Sequence, residues 1–107
     1  MVDESIVNSA RKYLYALAGQ GLSVRFGVIF GSRATGGADE WSDIDLVVVS
    51  PRFDGASEFG DVALLWRTAA RTDNRIEPVP CGEKQWETDD ASAILEIARR
   101  EGQLVTI

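Results

Sequence analysis

Two short apolar runs, Val24 to Phe30 and Ile44 to Val49, flank a connection that is rich in glycine and polar residues. Runs of this length and composition read as strands, the first of them buried. Their spacing leaves Gly31 to Ser42 as a loop joining two neighbouring strands. The surrounding segments supply helices. From about Asp3 to Ala18, Ile6, Val7, Ala10, Tyr13, Leu14, Leu17 and Ala18 share one helical face, and Gly19 and Gly21 stop the helix. Ser57 is placed to cap a second helix, Glu58 to Ala70, with Phe59, Val62, Trp66 and Ala69 inward. Arg75 to Val79 reads as a weak strand interrupted by Pro78. A third helix runs from Asp89 or Asp90 to Arg100, and Gln103 to Ile107 closes the chain as a strand. The order α-β-loop-β-α-β-α-β predicts an α/β or α+β layered fold, with about four strands packed by about three helices.

Composition narrows the chemistry. The chain has 107 residues, enough for one domain spanning 1–107. Its 11 Lys and Arg against 17 Asp and Glu give a net charge of −6, which argues against nucleic acid as a partner, because that needs a basic stripe. No histidine is present, so any mechanism built on an imidazole is excluded. The single cysteine, Cys81, excludes an intrachain disulfide. The acidic N-terminus and the lack of a long apolar run lead to the expectation of a cytoplasmic protein without a membrane span.

The stretch from Phe30 to Leu46 carries the chemical information. Gly31-Ser32 directly follows a buried strand. A turn there presents backbone N–H groups and a hydroxyl, which together suit a phosphate. Asp43 and Asp45 are two apart on a strand, so their carboxylates leave the same face while Ile44 and Leu46 point into the core. Paired carboxylates repel unless a cation intervenes, and hard oxygen ligands suit Mg²⁺. Read alone, the Gly-Ser pair is an ordinary turn, and the acid pair is equally a wetted strand end. A phosphate turn followed by two carboxylates is the combination that a nucleoside triphosphate with Mg²⁺ requires.

Gly31-Ser32, a spacer, and then Ser42-Asp43-Ile44-Asp45-Leu46 resembles the signature of the DNA polymerase β-like nucleotidyltransferase superfamily, most closely its minimal (MNT) branch. The resemblance implies that fold and Mg²⁺-dependent transfer of AMP from ATP to a hydroxyl. It implies that Asp43, Asp45 and a third acid from a later strand hold two Mg²⁺ ions. Glu77 is the candidate for that third acid, with Asp73 as the fallback. The family more often has Asp there, so Glu77 is a departure. Gly31, Ser32, Arg33 and Ser42 are the implied triphosphate contacts, with a simple turn role equally open for Ser42. Thr35 stands where many MNT proteins carry a second arginine, which weakens the implied grip on phosphate.

MNT proteins commonly pair with a helical HEPN protein in a toxin–antitoxin arrangement and adenylylate a tyrosine of it. The resemblance therefore implies such a partner, or else a homo-oligomer that completes the site. Two alternatives remain at this level: a partner-binding antitoxin module of little or no activity, and a small-molecule nucleotidyltransferase acting as an oligomer. Trp41 and Trp86 lie in polar segments, where either could line a cleft or a partner surface. Arg99 and Arg100 read as complements to a helix dipole.

Overall fold

The computed structural model describes residues 2–39, 41–55 and 59–107, with the side chain of Phe59 excepted. Helix α1 (Glu4–Gly19) begins at Asp3, whose carboxylate accepts from the Ser5 N–H. It is followed by β1 (Phe26–Phe30), a short helix α2 (Ser32–Thr35), β2 (Ile44–Val49) and a 3₁₀ turn at Pro51–Phe53. Then come α3 (Phe59–Thr72), β3 (Ile76–Cys81), α4 (Glu83–Thr88), α5 (Ala93–Glu101) and β4 (Gln103–Val105). The expected Ser57 cap lies outside the described residues, as does the inward position of the Phe59 side chain.

The strands form one mixed sheet in the order β3-β2-β1-β4. β1 is antiparallel to both β2 and β4, whereas β2 and β3 run parallel. Alternation along β2 divides the core. Ile44, Leu46 and Val48 join Ile29, Ile76 and the buried faces of α1 and α3. Val47 and Val49 face the other way, against Val28, Leu95 and Ala98, with Trp86 packed beside them. Helices on both faces explain why β2 reads as a nearly continuous apolar run. Each fully buried Leu, Ile or Val contributes about 1.5–3 kcal/mol of hydrophobic stabilisation. No helix among the described residues is long and apolar enough to cross a membrane.

The structure corrects the sequence reading in three places. Trp66, expected inward, is half exposed; Leu65 takes the buried position, and its carbonyl accepts from the buried Tyr13 hydroxyl at 2.9 Å. Helix α4 was not anticipated, because its stabilising cap is remote in sequence. Asp54 accepts from the Lys84 N–H (3.0 Å) and the Gln85 N–H (3.3 Å), satisfying donors at the start of α4 across 30 residues of chain. Helix α5 begins after Ser92 rather than at Asp89 or Asp90. Asp89 instead forms a turn by accepting from Ala91 N–H and Ser92 N–H, and Ser92 Oγ caps the helix at Leu95 N–H.

Candidate active site

The site forms where β1 and β3 flank the start of β2. Asp45 lies across from Phe30 on β1 and from Glu77 on β3. Phe30 is followed by Gly31, so the Gly31-Ser32 corner stands beside the Asp45 carboxylate. Gly31 has φ +73°, and a Cβ built on it would overlap Asp45 Oδ2. Only glycine meets both constraints, the left-handed backbone and the close approach of a carboxylate. The chain then enters α2. Gly31 O accepts from the Ala34 and Thr35 N–H groups, which leaves Ser32 as the exposed first residue of that helix.

Asp43, Asp45 and Glu77 interact directly. Burial raises the Asp45 pKa, and the charge of Asp43 raises it further, while a hydrogen bond from Glu77 opposes the shift. The Glu77 pKa is also raised, first by desolvation and then by the negative charges of Asp43 and Asp45, with hydrogen bonds to both adding to it. Desolvation and the neighbouring charges thus act in the same sense on Glu77, each disfavouring its ionised form. Among the described residues, no three acidic groups already converge in the geometry of a finished metal cage. Asp45 and Glu77 are turned toward each other instead. The donor set nevertheless fits a hard divalent cation by type: carboxylate oxygens only, with their mutual repulsion among the causes that raise the pKa of Asp45 and of Glu77.

Asp73, the alternative third acid, is engaged elsewhere. Its Oδ1 accepts from Arg75 Nε at 2.9 Å and its Oδ2 from the Arg75 guanidinium at 2.6 Å. That bidentate pairing holds its pKa down to about 2. Pro78 follows Glu77 within β3 and favours an extended backbone at Glu77.

Arg33 and Ser42 meet each other. The Arg33 guanidinium donates to the Ser42 carbonyl at 2.6 Å. Ser42 Oγ accepts from Asp39 N–H (3.1 Å) and also bonds Asp39 Oδ1 (3.3 Å). Both residues therefore brace the loop that delivers Asp43. Arg33 also lines a cleft of about 360 Å³ with Asp3, Ser5, Ile6, Asp39 and Arg75, and the three acids lie outside that lining. Asp39 was not singled out by the sequence reading. Its signal is local: an aspartate three residues ahead of a serine is a common turn-forming pair. Trp41 is largely exposed on this loop, whereas Trp86 packs edge-on against Phe26 beneath the Arg99 guanidinium. Arg99 also donates to the Trp86 and Gln85 carbonyls, so it ties α5 to α4 in addition to standing in the last turn of its own helix.

The fold has counterparts among known proteins. Residues 11–100 match the family model described as the nucleotidyltransferase domain. No curated protein matches the chain significantly. A structure assigned as a nucleotidyltransferase from Sulfolobus solfataricus superposes with a TM-score of 0.67 at 18 % identity, over 94 % of this chain and 78 % of that one. A toxin–antitoxin structure with AMP-PNP superposes with a TM-score of 0.59 at 20 % identity, over 89 % of this chain and 71 % of that one. At such identities the likeness shows a shared fold.

Proposed function

This chain belongs to the nucleotidyltransferase domain family, and on that premise we propose that residues 1–107 act as a single cytoplasmic domain that transfers AMP from ATP to a hydroxyl. The acceptor we favour is a tyrosine of a helical HEPN-type toxin, to which this protein is the antitoxin. One observation carries the catalytic reading: Asp43, Asp45 and Glu77 interact as one cluster beside the Gly31-Ser32 corner. The likeness to a toxin–antitoxin structure supports the choice of partner.

In this reading Asp43, Asp45 and Glu77 hold Mg²⁺, which when bound offsets the charge of the triphosphate and makes a nearby hydroxyl easier to deprotonate. Gly31 and Ser32 orient the β- and γ-phosphates through a backbone N–H and the Ser32 hydroxyl. The acceptor oxygen forms a bond to the α-phosphorus as the bridging P–O bond to the β-phosphate breaks, and pyrophosphate leaves. Glu77, exposed on the edge strand β3, takes the hydroxyl proton. Arg33 acts indirectly by holding the Ser42 carbonyl and so the approach to Asp43. Glu77 must be deprotonated to serve as ligand or base, so Mg²⁺ binding there competes with protons, and the raised pKa strengthens that competition.

The test is transfer of label from α-labelled ATP, with Mg²⁺, to a co-expressed helical partner. Label should appear with wild type and vanish with Asp43→Ala and with Asp45→Ala. A partner-binding module without chemistry is the second reading. It is favoured by the engagement of Arg33 with the loop and by Thr35 in place of a second arginine. Partner binding that survives both substitutions, with no label at any stage, would establish it. Label on a small hydroxyl compound instead of a protein would identify the third reading, a small-molecule transferase.

A further inference from the structure

Trp41 is the most exposed large apolar side chain among the described residues, at 83 %. Its backbone is nevertheless held. Asp39 Oδ1 accepts from the Trp41 N–H at 2.9 Å, the Ser42 hydroxyl closes the same turn onto Asp39, and Arg33 grips the Ser42 carbonyl. These bonds position a turn that buries nothing in the core. What the turn presents is an open indole, two residues before Asp43.

We infer that Trp41 is the stacking platform for the nucleobase of a nucleotide held at the acid cluster, an inference that rests on the nucleotidyl-transfer reading above. The two residues of chain from Trp41 to Asp43 span at most about 7 Å. That is similar to the reach from an α-phosphate across a ribose to its base. A base whose phosphates lie at Gly31-Ser32 and Asp43 therefore falls within range of the Trp41 ring. A protein acceptor is the competing occupant, but the surroundings suit it poorly. The described residues that lead up to the indole, Gly36, Gly37, Ala38 and Asp39, are small or charged and mostly exposed, and they supply no large apolar side chain for a rim around an anchor. A flat ring standing alone is what a base needs, because every base has a π face and stacking requires no pocket. The same physics makes the preference tolerant: stacking retains a nucleotide without reading which base it carries.

The experiment compares two ligands that differ in having a base. Wild type, Trp41→Ala and Trp41→Phe are titrated calorimetrically with AMP-PNP and with inorganic tripolyphosphate, each with Mg²⁺. Trp41→Ala should weaken AMP-PNP on the order of tenfold while changing tripolyphosphate affinity by less than about twofold, with Trp41→Phe close to wild type. AMP-PNP affinity unchanged in Trp41→Ala, or equal losses of both ligands, overturns the role of Trp41. Wild type that binds tripolyphosphate as tightly as AMP-PNP overturns it as well, while leaving the transfer reading intact. Wild type that binds neither ligand overturns the transfer reading, and the inference with it.

Discussion

Asp45 and Glu77 face each other across parallel strands β2 and β3 and share a hydrogen bond between their carboxyl groups. Two acids placed in register cost stability unless a proton or a cation joins them. The pair is the point at which the fold accepts electrostatic strain, and sites of that kind trade stability for function.

Neutralising the pair should separate those two properties. Asp45→Asn and Glu77→Gln should each raise the melting temperature in metal-free buffer, by about 2–6 °C if roughly 0.5–1 kcal/mol of repulsion is relieved. Both should lose transfer activity. Added Mg²⁺ should stabilise wild type in proportion to RT ln(1 + [Mg²⁺]/Kd) and leave Asp45→Asn nearly unmoved. Thermal melts with and without Mg²⁺ check both statements, and a substitution that lowers the melting temperature would contradict the first.

Gly31→Ala meets two obstacles at once, a φ of +73° and an overlap with Asp45 Oδ2. Gly36→Ala meets only the first, since its φ is +90° and its surroundings are open. Left-handed backbone costs an alanine about 1–2 kcal/mol, so Gly36→Ala should lose about that much. Gly31→Ala should lose more and also displace the carboxylate. Denaturant midpoints rank the pair, and equal losses would show that the Asp45 contact contributes nothing.

Acid should weaken the fold through Asp73. Its folded pKa of about 2 lies below its ordinary value of 3.8, so the ionised form is favoured in the native state by its bond to Arg75. The sign follows directly. The stabilisation is complete above about pH 4 and disappears as pH falls through about 2. Its size is about 1–2 kcal/mol after allowing for the partial exposure of Arg75. Asp73→Asn should therefore be less stable than wild type at neutral pH and converge with it near pH 2, measured by urea denaturation across that range.

Asp54→Ala removes the cap of α4 from a distance. Loss of a side-chain N-cap costs about 1 kcal/mol, and here the cost falls on a six-residue helix with little helical stability of its own. Amide exchange should quicken at Lys84 and Gln85, whose N–H groups Asp54 accepts, while β2 stays protected. Uniform acceleration across the sheet would mean that α4 is integral to the core.

Much of the site was legible because its signals are local. Asp43 and Asp45 follow from strand alternation, and Gly31-Ser32 from its position just after a strand. Glu77 was nominated ahead of Asp73 on the family resemblance and its place in a strand, whereas the engagement of Asp73 by Arg75 is visible only in the fold. The role of Arg33 was not legible for the same reason. A guanidinium next to a phosphate turn reads as a phosphate contact, and its bond to the Ser42 carbonyl is seen only in the fold.

The residue pattern by itself determined the two central strands, the acids at the mouth of the second, and the helix that covers them, because each depends on side-chain periodicity within a few positions of chain. Tertiary structure alone decided the pairing of Asp45 with Glu77, the existence of α4 and the exposure of Trp66. Each of these rests on groups 30 to 52 residues apart, where burial and hydrogen bonding are available only once the sheet has formed.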